Sequence, residues 1–178
     1  MRIRFGKDND ELMQIVKNMA DLADRAINGV RNVAENLRPA ALDIGITSAI
    51  EWLCRDFTAR TGIPCELDLT DKFIDLDNER TIVLFRIVQE SLTNVARHAM
   101  ASKVKITASL SRDNLCLEVK DDGRGFNMQT PKKQKSYGLL GIAERALSLG
   151  GAANVVSADD QGTTISVCIP LSAMGDTQ

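Results

Sequence analysis

Several residue types that mark particular classes of protein are scarce in this chain of 178 residues. It contains one histidine and four widely spaced cysteines, with no Cys-x-x-Cys pair. Zinc sites draw on clusters of cysteine and histidine, so a zinc site is disfavoured. We expect buried, reduced thiols of a cytosolic protein at the four positions, Cys54, Cys65, Cys116 and Cys168.

Long apolar runs and a strong charge of either sign are also lacking. No apolar run approaches the roughly 18 residues of a membrane span, and no signal-peptide pattern opens the chain. We therefore expect a soluble, cytoplasmic chain, which a membrane-anchored parent protein could carry as its cytoplasmic part. The formal net charge of −2 disfavours nucleic acid as a partner, because general electrostatic binding needs a basic surface.

The chain does contain enough apolar sequence, 44% of its residues, to build the core of about one domain. Within 12–37 the apolar residues recur in steps of three and four, which predicts a long, coiled-coil-like amphipathic helix. A single helix cannot bury such a stripe, so we expect a partner helix; packing on its own globular domain is the alternative. Pro39 breaks the pattern, and we place a boundary between domains 1–41 and 42–178.

The rest of the sequence alternates between two periodicities. Apolar residues at helical spacing predict helices at 46–61, 77–100 and 139–150. Alternation of apolar and polar residues predicts strands at 65–70, 103–111, 114–122, 153–158 and 163–171. This order predicts an α+β fold, a two-layer α/β sandwich in which helices cover one face of a mixed sheet.

Two glycine-containing segments have the composition of ligand-binding loops. Asp-Asp-Gly-Arg-Gly-Phe at 121–126 follows a predicted strand, and its glycines let the backbone turn sharply and approach a ligand. Gly-Leu-Leu-Gly at 138–141 opens a predicted helix, whose N-terminal N–H groups favour an anion such as phosphate. Each motif alone is more often an ordinary turn, and neither fits a P-loop or a dinucleotide fingerprint.

Polar residues also lie along one edge of the apolar stripe of the 77–100 helix. Glu90, Asn94 and Arg97 are separated by four and three residues, so they share one face. A carboxylate and an amide oxygen one turn apart can ligate Mg²⁺, directly or through water, and Arg97 could hold a phosphate oxygen. A solvated face is the commoner explanation of such a trio, but the two glycine segments favour nucleotide binding.

Four segments occur in an order that resembles a known family. RIVQESLTNVARHA, VKDDGRGF, GLLGIAERA and GG…QGTTISVCIP are similar to the asparagine box and three glycine boxes of one ATP-binding domain. This GHKL or Bergerat-fold domain is shared by histidine kinases, gyrase, Hsp90-type chaperones and MutL. The chain most resembles sensor histidine kinases that signal to NarL-type response regulators. The segment LRPAALDIGITSAIEWL of this chain resembles the junction that those kinases have between the second dimerisation helix and the ATPase domain. The resemblance therefore extends over 12–171.

The resemblance implies roles for residues of the asparagine box. Asn94 matches the amide that ligates Mg²⁺. Glu90, one turn earlier, is expected to act through the metal or as the catalytic base for the acceptor. Arg97 matches a basic position that contacts phosphate, and His98 follows it next to the nucleotide.

For the glycine boxes the resemblance implies contacts to adenine and to the phosphates of ATP. Asp121 is expected to accept a hydrogen bond from the adenine amino group, while Gly123 and Gly125 let the chain pass close to the base. Thr163 matches a hydroxyl that helps to hold adenine, often through water. The segment expected to line the phosphates, after a lid at 127–137, comprises Gly138, Leu139, Leu140 and Gly141.

The chain departs from this family in one respect. Such kinases phosphorylate a histidine on the first dimerisation helix, whereas the one histidine here, His98, lies inside the nucleotide box. We expect His98 to be structural or close to the nucleotide rather than a phosphoacceptor. The sequence thus predicts a fragment, half of the dimerisation domain plus the complete catalytic domain, that binds ATP and Mg²⁺ but does not autophosphorylate alone.

The implied partners are a NarL-type response regulator, the acceptor helix of the parent kinase and a second copy in a homodimer of the parent. Two alternatives stay open. One is an anti-sigma-type serine/threonine protein kinase on the same ATP fold, which the long heptad helix and its junction disfavour. The other is a non-catalytic ATP-binding regulatory module that uses the helix to bind a partner.

Overall fold

The computed structural model describes residues 19, 40–69, 76–111, 113–128 and 137–171. The chain divides after Pro39 into two units, and all of the described strands belong to the second, Ala40–Gln178. The predicted long helix at 12–37 lies outside the described residues except for Met19, which is helical. That helix and the assignment of two domains therefore stay predictions.

Three α-helices follow a short 3-10 turn in the described part of the chain. Their bounds are Ile46–Thr61 for α1, Asn78–Asn94 for α2 and Tyr137–Ser148 for α3. Helix α1 ends at Gly62, whose left-handed backbone lets its N–H reach the Thr58 carbonyl. Within the described ranges, none of the helices has the length and apolar content needed to cross a bilayer.

Helix α2 is fixed at its start by Asp77 and Arg80. The Asp77 carboxylate caps the helix by accepting a hydrogen bond of 2.8 Å from the Arg80 backbone N–H. The Arg80 guanidinium forms an ion pair with Asp77 and donates to the Pro170 carbonyl at 3.0 Å. One buried arginine therefore joins the start of α2 to the end of the last strand.

Five strands of the described part of the chain form one mixed sheet. Their bounds are Cys65–Leu69 for β1, Val104–Ser111 for β2, Asn114–Asp121 for β3, Ala152–Ser157 for β4 and Thr163–Pro170 for β5. The spatial order is β1-β2-β3-β5-β4, with β1 parallel to β2 and the other neighbours antiparallel. This arrangement confirms the predicted α+β fold with a mixed sheet.

The core lies between one face of this sheet and the helices. Along β3 the residues Leu115, Leu117 and Val119 are buried, and the residues between them are more exposed, as strand alternation requires. The helices contribute fully buried side chains to the same core, including Phe57, Phe85, Leu84, Ile87 and Ile142. Burial of this apolar set is the main stabilising term of the domain.

The prediction of four buried thiols is wrong. Only Cys54 is buried, and Cys65 is half-buried. Cys116 and Cys168 form a disulfide between directly paired positions of β3 and β5, with Cα atoms 4.1 Å apart. Both lie on the face of the sheet away from the core. The two cysteines are 52 residues apart in sequence, and only the strand register brings them together.

Candidate functional site

An open cleft lies between the C-terminal half of α2 and the adjoining ends of β3 and β5. Its volume is about 700 Å³ with the open solvent at its mouth included. Apolar side chains and a few polar groups line it: Ser91, Asn94, Val95, His98, Ala99, Val119, Asp121, Arg124, Gly125, Phe126, Leu139, Thr163 and Ile165.

Glycines let the loops around this cleft pack backbone against backbone. A β-carbon on Gly123 would overlap the carbonyl oxygen of Ala99, shortly after the end of α2. One on Gly125 would overlap the carbonyl oxygen of Ala158 after β4, and one on Gly162 would overlap the backbone at the end of β3. Three segments distant in sequence therefore meet at contacts that only glycine permits.

Hydrogen bonds of Arg124 hold the 121–126 loop in place. Its backbone N–H donates to the Ala99 carbonyl at 2.8 Å, and its side-chain Nε–H donates to the His98 carbonyl at 2.7 Å. On the other side, the Asp160 N–H donates to the Arg124 carbonyl at 2.7 Å. The loop is thereby fixed between the end of α2 and the turn that joins β4 to β5.

Asp121 is a buried carboxylate at one end of the cleft, with 6% of its surface exposed. Its Oδ1 accepts a hydrogen bond of 2.9 Å from the Gly123 N–H, and the backbone N–H of Thr163 also donates to the carboxylate. Burial nevertheless raises the pKa of Asp121, because two hydrogen bonds do not replace the lost hydration. The carboxylate has lone pairs left to accept a hydrogen bond from a ligand.

Asn94 lies across the cleft from Asp121, on the last turn of α2. Its buried Nδ2 has no hydrogen-bond partner among the residues that the structure describes. An unpaired buried polar group costs about 1–3 kcal/mol, so a ligand that pairs with this amide would offset that cost. Rotation of the amide exchanges its nitrogen and oxygen, so it can present either a donor or an acceptor.

Gly138 brings the first turn of α3 against this asparagine. A β-carbon on Gly138 would overlap Glu90 Oε1 and would lie 3.3 Å from Asn94 Nδ2. The absence of a side chain at Gly138 therefore lets a helix N-terminus approach a carboxylate and an amide on α2. These three residues come from two of the segments that the sequence singled out.

The structure thus brings most of the predicted site residues together. Asn94, His98, Asp121, Gly125, Leu139 and Thr163 line the cleft. Glu90, Gly123 and Gly138 contact those residues or hold their backbone. The remaining three are not among the lining residues either: Arg97 is exposed, Leu140 is 47% exposed and Gly141 faces Arg145. Of the predicted lid at 127–137, residues 129–136 lie outside the described ranges.

The position of Arg97 follows from a change of helix type. After Asn94 the helix continues as a π-turn, Val95–Ala99, which has wider i→i+5 hydrogen bonding. The spacing that put Arg97 on the face of Asn94 assumed an α-helix throughout. In the π-turn His98, and not Arg97, is the basic residue that lines the cleft.

Four polar or aromatic residues in or beside the cleft were not singled out from the sequence. Arg124 and Phe126 belong to the glycine segment at 121–126, so that motif could have indicated them. Ser91 is fully buried, and its hydroxyl donates to the Ile87 carbonyl at 2.8 Å, as small residues of buried helices do. Ser157 lies at the end of β4, where strand alternation gives no sign of its contacts.

A mixed sheet with helices on one face, and an apolar cleft that ends in a buried aspartate, define an α/β-sandwich domain with a cleft suited to a small polar ligand. The particular family follows from comparison. Residues 79–173, more than half of the chain, match the family described as histidine kinase-, DNA gyrase B- and HSP90-like ATPase. The chain belongs to this family, whose shared ligand class is ATP.

Known relatives are sensor histidine kinases. The oxygen sensor histidine kinase NreB of Staphylococcus carnosus is 31% identical over 171 residues, covering 96% of this chain and 49% of that protein. The sensor histidine kinase LiaS of Bacillus subtilis is 37% identical over 164 residues, covering 92% and 45%. The chain therefore spans about half the length of these relatives.

A solved structure shares the fold. The histidine kinase domain of a blue-light activated histidine kinase from Erythrobacter litoralis superposes with a TM-score of 0.60. The two are 22% identical, and the match covers 71% of this chain and 61% of that chain. The mixed sheet and its helical layer are thus the architecture of a known histidine kinase domain.

Proposed function

We propose that this chain is the ATP-binding catalytic domain of a cytoplasmic, two-component sensor histidine kinase. The reaction transfers the γ-phosphate of ATP to a histidine on an acceptor helix outside this chain, and then to an aspartate of a NarL-type response regulator. One observation carries the proposal: in a chain of this ATPase family, the buried Asp121 and the Asn94 amide, whose nitrogen pairs with no described residue, face one cleft. The parent kinase would act as a homodimer.

The strand end of the cleft is suited to adenine. The Asp121 carboxylate would accept a hydrogen bond from the 6-amino group, and the adjacent Thr163 hydroxyl would reach the same edge of the base. The apolar side chains of Val119, Phe126 and Ile165 line the cleft around this point and would cover the ring. A buried acceptor rejects a base that offers no matching donor, which is how such a site distinguishes bases.

The helix end of the cleft is suited to the phosphates and Mg²⁺. Asn94 supplies an amide and Glu90 a carboxylate, the oxygen ligands that Mg²⁺ takes in proteins, and no described residue pairs with the buried amide nitrogen. When bound, Mg²⁺ neutralises phosphate charge and orients the γ-phosphate. The Asn94 amide and the Glu90 carboxylate would hold it, and the N–H groups after Gly138 would bind phosphate oxygens at the helix N-terminus.

Catalysis in this proposal is mainly positioning. The acceptor histidine attacks the γ-phosphorus in line with the leaving oxygen of ADP, so the cleft has to hold ATP with that bond directed outward. Glu90 would act through the metal or take a proton from the acceptor. Arg97, exposed on the π-turn after Asn94, would attract the negative charge of the phosphates, and His98 would lie next to the nucleotide.

Labelled ATP tests the proposal. We expect the chain to transfer the γ-phosphate to a separate polypeptide that carries the parent's acceptor helix, giving acid-labile phosphohistidine. An acceptor with its histidine replaced by alanine is the control and should stay unlabelled. Transfer to serine on a partner would support the anti-sigma kinase instead, and ATP binding without transfer would support the regulatory module.

A further inference from the structure

Ser157, the last residue of β4, lies at the centre of a hydrogen-bonded cluster beside the cleft. Its Oγ accepts a hydrogen bond of 2.9 Å from the Phe126 backbone N–H. The same oxygen is 3.0 Å from the Gly162 carbonyl and 3.0 Å from the Thr163 hydroxyl. One half-buried hydroxyl therefore contacts the loop after β3, the turn before β5 and a side chain that lines the cleft.

Counting protons assigns the direction of each of these bonds. A serine hydroxyl has one proton to donate and two lone pairs to accept with. The Gly162 carbonyl oxygen can only accept, so the Ser157 proton goes to it. The two lone pairs of Ser157 then accept from the Phe126 N–H and from the Thr163 O–H. This is the one arrangement in which all three contacts are hydrogen bonds.

The arrangement fixes what Thr163 can offer to a ligand. Its hydroxyl proton is used on Ser157, so only the lone pairs of Thr163 remain for the cleft. The neighbouring Asp121, paired with Thr163 across β3 and β5, is an acceptor as well. Two acceptors side by side match a ligand edge that carries N–H donors and repel one that carries an oxygen.

We infer that Ser157 is a positioning residue that makes the cleft selective for 6-amino over 6-oxo purine nucleotides, by holding the Thr163 hydroxyl as an acceptor. The inference rests on the proposed function, because it assumes that a purine nucleotide binds with its 6-position between Asp121 and Thr163. In the absence of the Ser157 hydroxyl, the Thr163 O–H turns freely and donates to a 6-oxo group. Selectivity then falls without loss of the apolar contacts to the ring.

Calorimetric titration with ADP and with IDP, which carries a 6-oxo group in place of the 6-amino group, tests the inference on the full chain. We expect Ser157→Ala to lower the ratio of ADP affinity to IDP affinity roughly three- to tenfold, the effect of one neutral hydrogen bond. Ser157→Thr retains the hydroxyl and should retain the ratio. Ser166→Ala, on the outer face of β5, is a matched control that should change neither affinity.

A double-mutant comparison separates positioning from a general structural role. If Ser157 acts through Thr163, then Ser157→Ala adds nothing to the loss of selectivity in a Thr163→Val background. Equal loss of ADP and IDP affinity in Ser157→Ala, with the ratio unchanged, would show a structural role and overturn the inference. If Ser157→Ala does not fold, Ser157→Cys serves in its place, because a thiol fills the site but bonds weakly.

Nucleotide binding by the unsubstituted chain distinguishes failure of this inference from failure of the function on which it rests. If the unsubstituted chain binds ADP more tightly than IDP and the variants keep that ratio, only the role of Ser157 is contradicted. If the unsubstituted chain binds neither nucleotide, the proposed function is contradicted, and the inference with it.

Discussion

Two neighbouring aspartates at the end of β3 have opposite environments. Asp121 is buried, and burial raises the pKa of its carboxyl group. Asp122 is exposed and accepts hydrogen bonds from the Ser102 hydroxyl at 2.6 Å and from the backbone N–H groups of Ser102 and Lys103 at 2.8 and 3.0 Å. These bonds, the Ser102 hydroxyl first, lower the pKa of Asp122 to about 2.

The two aspartates therefore predict pH dependences of opposite sign. Because the pKa of Asp121 is raised, this carboxyl group contributes to the free energy of unfolding at pH values below the ordinary pKa of aspartate. That contribution is lost as pH rises through the raised pKa. Asp121→Asn should thus gain stability relative to the parent as pH rises. Asp122 contributes to the free energy of unfolding at pH values above the ordinary pKa of aspartate, and this contribution is lost as pH falls towards about 2. Asp122→Asn should therefore be less stable than the unsubstituted chain at neutral pH, and the difference should shrink as pH falls.

Urea unfolding of the parent and the two variants, from about pH 3 to about pH 7, measures both dependences. The neighbouring substitutions are matched in chemistry and position, so each serves as the control for the other. If the free energy of unfolding of the two variants changes with pH in the same way, the burial of Asp121 does not make the two aspartates differ.

Asn94 predicts a separation of stability from binding. Because none of the described residues pairs with its buried Nδ2, Asn94→Ala should leave the free energy of unfolding unchanged within about 0.5 kcal/mol, or raise it. The same substitution should abolish Mg²⁺-dependent ATP binding, since it removes the proposed metal ligand. Calorimetry with and without Mg²⁺, beside urea unfolding, checks both.

A matched control is Asn154→Ala, on the exposed face of β4, which should affect neither quantity. Unchanged ATP affinity in Asn94→Ala would refute the assignment of Asn94 as a metal ligand. A large loss of stability would instead indicate that Asn94 holds the fold.

At the scale of elements, the site depends on backbone packing between β3, β5 and the turn before β5. Gly162 and Gly62 both have left-handed φ values, +71° and +74°. A β-carbon on Gly62 meets nothing within 4 Å, whereas one on Gly162 would overlap the carbonyl oxygen of Asp121. The pair therefore separates the conformational cost of alanine from the cost of the overlap.

Gly62→Ala should lower the free energy of unfolding by about 1–2 kcal/mol, the cost of a left-handed non-glycine residue. Gly162→Ala should lower it by clearly more, because backbone must also move, and it should weaken nucleotide binding at Asp121. Urea unfolding gives the comparison. Equal losses in the two variants would show that β3 and the turn do not pack as closely as described.

The disulfide joins the same two strands on the opposite face of the sheet. It links positions 52 residues apart, and closing a loop of that length stabilises a fold by about 4 kcal/mol at most in the chain-entropy estimate. Reductant should therefore lower the unfolding temperature of the parent. Cys116→Ser should start from the lowered value and show no further response to reductant. If reductant does not change the unfolding temperature of the unsubstituted chain, Cys116 and Cys168 are thiols and not a disulfide.

Local periodicity predicts elements well and their pairing poorly. Alternation placed the five described strands close to their observed bounds, and helical spacing predicted a helix at 77–100 that contains the whole of α2. The insertion of β5 between β3 and β4 is a choice among antiparallel partners that alternation does not distinguish. The Cys116–Cys168 bond was missed for this reason, since it follows from strand register.

The site shows the same division. Asn94 and Asp121 lie in motifs that are contiguous in sequence, so a resemblance identifies them. Ser157 acquires its partners only when β4, β5 and the loop after β3 meet, and no local pattern indicates it. Regular α-helical spacing puts Arg97 on the face of Asn94, whereas the π-turn leaves it exposed and outside the cleft lining, and this turn is not evident in Val-Ala-Arg-His-Ala.

At the scale of the whole molecule, the same elements build the core and the cleft. Helix α2 buries Leu84, Phe85 and Val88 against the sheet, while its last turns face the cleft with Ser91 and Asn94. The apolar residues beneath the cleft are therefore also core residues. Nucleotide binding should stabilise the whole domain, because a ligand that binds only the folded state shifts the unfolding equilibrium.

Methyl NMR of the chain during titration with ATP and Mg²⁺ tests the central claim most directly. The account predicts saturable shifts for the methyl groups of Val95, Val119 and Ile165, which line the cleft. The exposed methyl groups of Leu147 and Val156, on α3 and on the outer face of β4, should not shift. No saturable shift, or shifts confined to those outer residues, would contradict the assignment of this cleft as the ATP site.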